Sequence, residues 1–360
     1  MSVFALVTGG GTGGHVYPAL ALADELVGRG HPAPSIRFVG ARRGLEARVV
    51  PEAGFEIDLL PGRGLQRRLT VANLAALWEN LRAFARSRRI VKRARPRVVV
   101  GVGGYASLPC LLAARLRRVP TVVHEQNAAP GLANRLAVRL GARAAVSLPG
   151  TPLRDPVLTG NPIRPEIAAV RRAPTTPPLV IVVGGSLGAG RLNDAAIALF
   201  QRWRDRDDVA VHHVTGARNY DACATALAAA RRPGDCLAYE LVSYEERMDA
   251  LYARATLAVC RAGAVTVAEL AAGAVPSVLV PLPGAPGDHQ TRNAEAMVDA
   301  GAAVLVPDRE CDGARLDAVA GELIADRGRL DAMAKAARTL ARPDAAARLA
   351  DLVEEVARAG

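Results

Sequence analysis

Aromatic residues are scarce in this 360-residue chain, at 4% of the total, and cysteines number only five. The cysteines (Cys110, Cys223, Cys236, Cys260, Cys311) are scattered, odd in number and without Cys-x-x-Cys spacing. That argues against a disulfide framework or a cysteine zinc site and for a reducing compartment. The six histidines show no metal-ligand spacing, and no Gly-x-Ser-x-Gly nucleophile elbow occurs. One Asp-x-Asp, in Asp205-Arg206-Asp207-Asp208, follows a run rich in arginine and reads as an exposed charged turn. No basic leader precedes the short apolar run Val3 to Val7, so no signal peptide is expected. The uncharged stretch Leu270 to Gly287 holds four prolines and cannot form a spanning helix. Together these absences lead us to expect a soluble, cytoplasmic protein.

Half of the residues are hydrophobic and 22% are charged, a globular balance at a length that suits two domains. The net charge is +11, and its distribution is uneven. Between Arg63 and Arg97 lie eleven basic residues and a single acid, Glu79. Within that window Leu74, Leu77, Trp78, Leu81 and Phe84 recur at helical spacing, flanked by Arg82, Arg86 and Arg89. Such a helix reads either as a core stripe with a solvated basic flank or as a surface for anionic lipid headgroups. Nucleic acid is disfavoured, because no recognition module is present.

Read for period, one unit repeats: a short apolar run, a glycine-rich turn, then a helical pattern. Val3 to Val7 leads into Gly9–Gly14, and Val98 to Val102 into Gly103-Gly104-Tyr105. Leu179 to Val183 leads into Gly184-Gly185-Ser186, and Leu257 to Cys260 into Arg261-Ala262-Gly263. Strands alternating with helices imply an α/β fold with parallel sheets covered on both faces. Leu148 to Pro165, with five prolines and two glycines, is the expected interdomain connection, giving domains 1–160 and 161–342. The helical pattern in 343–360 is free to pack on either, with the first domain preferred.

Glycine turns before helices let backbone N–H groups approach an anion, and the helix dipole adds positive charge. Gly9, Gly11 and Gly14 satisfy Gly-x-Gly-x-x-Gly, which raises a dinucleotide reading. The next strand, however, runs into Gly40-Ala41-Arg42-Arg43 instead of an acid, so NAD is disfavoured and only NADP stays open. His15, directly after the loop, suits a general base or a plain helix-start residue. Glu269, in the helix after Arg261-Ala262-Gly263, suits either a ribose diol or the helix dipole. Asp288 to Asn293 is dense in groups that fit sugar hydroxyls.

GGGTGGHVYPALALADEL (Gly9–Leu26), GGYAS (Gly103–Ser107), HEQNAAPGLANR (His124–Arg135), TGNPIR (Thr159–Arg164), GGSLGA (Gly184–Ala189), CRAGAVTVAELAAGAVPSVLVPLP (Cys260–Pro283) and DHQTRNA (Asp288–Ala294) resemble, in order and over nearly the whole chain, the MurG family. The resemblance implies a GT-B architecture, two Rossmann-like domains facing across a cleft, with neither cofactor nor metal. It implies inverting transfer of N-acetylglucosamine from UDP-N-acetylglucosamine to the muramoyl 4-hydroxyl of undecaprenyl-diphospho-muramoyl-pentapeptide. By motif, His15 and Glu125 are the catalytic candidates. Thr12, Gly13, Gly14, Asn127, Arg164, Ser186, Val242, Gly263, Ala264, Val265, Thr266, Glu269 and Gln290 would hold the donor. Gly10, Gly11, Gly103, Gly104, Tyr105 and His124 would lie on the acceptor side. The basic helix would rest on the anionic cytoplasmic face of the inner membrane. Departures from the family pattern are Ala262 for Ser, Leu187 for Gln, and His289-Gln290 for Gln-Gln. The alternatives are a natural-product glycosyltransferase, a UDP-N-acetylglucosamine 2-epimerase, or a non-catalytic membrane scaffold.

Overall fold

The computed structural model describes residues 3–61, 71–185 and 188–359, with side chains of 71–77 left out. It divides into two compact units, Met1–Arg164 with Arg342–Gly360, and Pro165–Ala341. The division falls between Arg164 and Pro165, four residues beyond the expected 160/161, and Gly160 is held within the first unit. Its N–H donates to Val146, its carbonyl accepts from His124, and a Cβ there would strike Arg342.

The first unit runs β1 (Ala5–Thr8), α1 (Gly13–Gly28), β2 (Ile36–Ala41), α2 (Glu46–Glu52), β3 (Glu56–Leu60), α3 (Val71–Ala94), β4 (Val98–Gly101), α4 (Ser107–Leu116), β5 (Thr121–Glu125), α5 (Leu132–Arg139), β6 (Arg143–Val146) and β7 (Val157–Leu158). Among the described residues its strands form one parallel sheet in the order β3-β2-β1-β4-β5-β6-β7. Both faces are covered, which explains why β1 and β4 are buried at every position. In β1, Ala5 and Val7 enter one core and Leu6 the other.

The second unit runs α6 (Pro165–Ala168), β8 (Leu179–Val183), α7 (Gly190–Trp203), β9 (Ala210–Val214), α8 (Tyr220–Ala230), β10 (Ala238–Val242), α9 (Met248–Arg254), β11 (Leu257–Cys260), α10 (Ala264–Ala272), β12 (Ser277–Leu279), α11 (His289–Asp299), β13 (Ala303–Leu305), α12 (Gly313–Ala325) and α13 (Arg327–Leu340). Its parallel sheet has the order β10-β9-β8-β11-β12-β13. The last helix, α14 (Ala345–Ala359), returns to the first unit. It buries Leu349, Leu352, Val353 and Ala357 there, while Arg29 donates to Asp351 at 2.6 Å and to the Ala347 carbonyl at 2.8 Å.

Both sheets are doubly wound, so strand order reverses once in each, between β1 and β4 and between β8 and β11. The turns leaving those strand pairs are therefore neighbours at a topological switch point, the usual ligand position in open α/β sheets. Chain order alone would not bring Gly10 beside Gly104; the winding does.

Candidate functional site

At the first switch point the two glycine turns interlock. Gly10 N–H donates to the Gly103 carbonyl at 3.3 Å, and a Cβ on Gly104 (φ +80°) would strike the Gly10 carbonyl. Gly9 N–H donates to Val39. Gly11 N–H donates to Glu46 Oε2 at 2.8 Å. These three amides face protein acceptors, which narrows the expected anion cradle to Thr12, Gly13 and Gly14. The last two open α1, where first-turn N–H groups have no intrahelical acceptor.

His15 lies on the first turn of α1, with Nδ1 3.2 Å from Thr12 Oγ1. Its ring passes so close to the second glycine turn that a Cβ on Gly103 would stand 2.9 Å from Nε2. Glycine at 103 is thus what lets the imidazole sit there. Tyr105 follows; its hydroxyl is buried with no hydrogen-bond partner among the described residues. Burial, then Glu46 and Glu79, pushes its phenol above the usual range.

Two residues expected at the substrate do something else here. His124 is wholly buried. Its Nε2 lies 2.9 Å from the Gly160 carbonyl, which accepts only, so Nε2 carries the proton. Nδ1 then accepts from Gln126 Nε2 at 3.0 Å. Burial holds the ring near a pKa of about 4, with His15 adding to the depression and the Gly160 bond opposing it. His124 is thus a neutral tie between β5 and the Gly160 carbonyl. Glu125 is 3% exposed and saturated. Its carboxylate accepts from Asn127 N at 3.1 Å, Asn127 Nδ2 at 3.3 Å, Gly131 N at 2.9 Å and Asn134 Nδ2 at 2.8 Å. That geometry organises the 127–134 loop and presents Asn127.

In the second unit, the Gly184 turn enters α7 and the Arg261-Ala262-Gly263 turn enters α10, side by side at the switch point. Ser186 and Leu187 lie outside the described residues. Gly263 is the N-cap of α10, with Ala264, Val265 and Thr266 in its first turn. Glu269 is 8% exposed, and Tyr252 donates to its Oε2 at 3.1 Å. Asn293 Nδ2 donates to the Ala262 carbonyl at 3.1 Å, which ties the head of α11 to the same turn. Gln290, on α11, accepts from Leu282 N at 2.9 Å, so its amide NH2 is oriented as a donor. The helices that carry Glu269 and Gln290 are thus tied through that turn. Arg261 donates to Asp308 Oδ1 at 2.6 Å, and Asp308 Oδ2 pairs with Arg191 at 3.1 Å, which joins the two turns. At Val242 the carbonyl already accepts from Thr215 N and Oγ1, at 3.0 and 3.2 Å. Arg164 ends the N-terminal segment of the first unit, just before the second begins at Pro165. Burial first, then Glu269, pushes the Cys260 thiol up to about 12, so no thiolate nucleophile forms there.

Sequence reasoning missed Glu46, Tyr252 and Asp308. The acid sought after the second strand was present, five residues on, but its target is the glycine-loop backbone. No spacing rule separates such a residue from a solvated first-turn acid.

On α3, Trp78 is 61% and Leu81 53% exposed, with Arg82 over the indole ring at 5.8 Å. The buried face of this helix is Ala83, Ser87, Ile90 and Val91, and Phe84 packs against that core. The expectation of one shared stripe is therefore corrected: Phe84 turns inward, Trp78 and Leu81 outward. The side chains of Leu74 and Leu77 lie outside the described residues. Arg89 is exposed and Arg86 half-buried. Among the described residues no helix is long and apolar enough to cross a membrane.

Two doubly wound units, each with paired small-residue turns at its switch point, have the GT-B architecture. Residues 5–146 match the glycosyltransferase family 28 N-terminal domain, and residues 179–349 match the glycosyltransferase family 28 C-terminal domain. The chain is 41% identical to the UDP-N-acetylglucosamine--N-acetylmuramyl-(pentapeptide) pyrophosphoryl-undecaprenol N-acetylglucosamine transferase of Desulforudis audaxviator, over 99% of each chain. It is 45% identical to the enzyme of the same description from Alkalilimnicola ehrlichii, over 99% of this chain and 100% of that one. The crystal structure of Acinetobacter baumannii MurG superposes with a TM-score of 0.80 at 32% identity, covering 98% of this chain and 99% of that one. The chain belongs to glycosyltransferase family 28.

Proposed function

We propose that the protein transfers N-acetylglucosamine from UDP-N-acetylglucosamine to the muramoyl 4-hydroxyl of the undecaprenyl-diphosphate-linked pentapeptide, with inversion, forming a β-1,4 bond. The observation that carries this reading is 41% and 45% identity, over nearly the full length, to two transferases of that description. The site geometry supports it. With Thr12 Oγ1 accepting from Nδ1–H of His15, the lone pair sits on Nε2, the nitrogen that takes the proton of an attacking hydroxyl. Glu125, saturated by four donors, orders Asn127 and takes no proton. In the second unit Glu269 accepts from the ribose diol and Gln290 donates to the sugar. The first-turn amides of α7 and α10 stabilise the departing diphosphate.

We further propose that α3 rests on the anionic cytoplasmic face of the inner membrane. Trp78 and Leu81 offer an apolar contact, and each basic neighbour near an anionic surface contributes about 1 kcal/mol.

The test is a transfer assay with UDP-N-acetylglucosamine and a short-chain analogue of the lipid acceptor. Acceptor-dependent UDP release and a disaccharide product are expected. Turnover of the donor without acceptor would point to an epimerase, and no turnover to a scaffold. His15→Ala should lower kcat by about 10²–10⁴-fold, the range of a lost general base, with UDP affinity retained. Unchanged turnover removes His15 from the mechanism.

A further inference from the structure

We infer that Glu46 is a positioning residue for the transfer reaction, a buried carboxylate that pins the first glycine turn and so places the head of α1 with His15. The inference rests on the transfer reading above.

Glu46 is 2% exposed, at the head of α2. Its Oε2 accepts from Gly11 N at 2.8 Å and its Oε1 from Ala41 N at 2.7 Å. One carboxylate thus bridges the turn after β1 to the end of β2. The chain has made room for it: a Cβ on Gly10, Gly40 or Gly44 would strike the Glu46 side chain. Gly9, Gly10 and Gly11 all have positive φ (+153°, +140°, +99°), so this limb of the turn has no side chains to pack and much backbone freedom to lose. Its order comes from hydrogen bonds, and the one at Gly11, next to Thr12, is made to a full negative charge. Just beyond are the amides offered to the substrate and the imidazole of His15. His15 and Glu46 also wall the same small apolar cavity under the turn, with Val7, Phe38, Val50 and Val102.

The charge at Glu46 also bears on what the turn can hold. A carboxylate receiving the Gly11 amide repels a phosphate at that end, which pushes any diphosphate toward Gly13, Gly14 and the α1 dipole. Glu46 thus sets where on the turn an anion sits, as well as how firmly the turn is held.

The test is Glu46→Gln in the full chain. The amide is nearly isosteric but has a single acceptor oxygen, so one of the two backbone N–H groups must face an NH2. We expect kcat with the short-chain acceptor to fall about 30-fold, which is ~2 kcal/mol at 1.36 kcal/mol per decade. UDP affinity by calorimetry should stay within about twofold, because UDP is held by the second unit. A purely structural role would instead lower the folded fraction and leave kcat per folded molecule intact, and that result overturns the inference. Should Glu46→Gln fail to fold, Gly44→Ala serves. Its Cβ displaces the carboxylate from outside the glycine turn, and the same split of kcat against UDP affinity is expected. Wild-type kcat in either folded variant sinks the inference alone; a wild-type protein that transfers no sugar sinks the transfer reading with it.

Discussion

Acidification should unfold this protein through two neutral histidines, one in each unit. His213, in β9, lies with Nδ1 2.8 Å from the Tyr239 hydroxyl and Nε2 3.1 Å from Asn193 Oδ1. Asn193 Oδ1 only accepts, so Nε2 holds the proton and Nδ1 receives the phenol. A second proton would set N–H against O–H in the interior. Burial, aided by His212, accordingly holds His213 down to about 4. In the unfolded chain it returns to about 6.5. Between those values the unfolded state binds more protons, so stability rises with pH. The contribution is complete above 6.5 and is lost as pH falls toward 4. At pH 5 the loss from His213 is ~2 kcal/mol, and below pH 4 it levels off at about 3 kcal/mol.

Trp203 supplies the assay, because it is 2% exposed in the second unit whereas Trp78 is already exposed. Urea unfolding followed by tryptophan fluorescence at pH 7 and pH 5 should show wild type losing more than His213→Gln, by about 2 kcal/mol. The amide can serve both partners of the neutral ring and cannot ionise. Parallel losses in the two proteins would refute the tautomer assignment and the linkage built on it.

In the second unit, Tyr252→Phe should weaken UDP binding about threefold to tenfold, the range of an ordinary net hydrogen bond. The same change should leave 2′-deoxy-UDP less affected, and equal losses by calorimetry would detach Tyr252 from the ribose. At the membrane, Trp78→Glu with Leu81→Glu should lower binding to phosphatidylglycerol vesicles by tenfold or more in a sedimentation assay, with UDP affinity retained. Undiminished binding would move the contact elsewhere.

The sequence by itself determined the repeating strand, turn and helix, because central parallel strands are apolar on both faces and leave short unbroken runs. Edge strands were harder to see. In β3 (Glu56–Leu60) and β10 (Ala238–Val242), Glu56 and Glu240 face solvent, so the apolar run is broken. The glycine turns were also legible, since glycines between an apolar run and a helical pattern mark a tight turn. What only the tertiary structure decided is which polar groups meet a partner inside the protein. His124 and Glu125 read as substrate residues from their motif, yet burial turns both to local backbone and amide partners. Glu46 read as nothing, yet winding β1 beside β2 brings its carboxylate onto the glycine turn. Phe84 and Trp78 share a helical stripe on paper, but the sheet takes up only one side of α3. Periodicity records whether a residue is apolar or polar, whereas a hydrogen bond across many residues depends on the winding of the sheet.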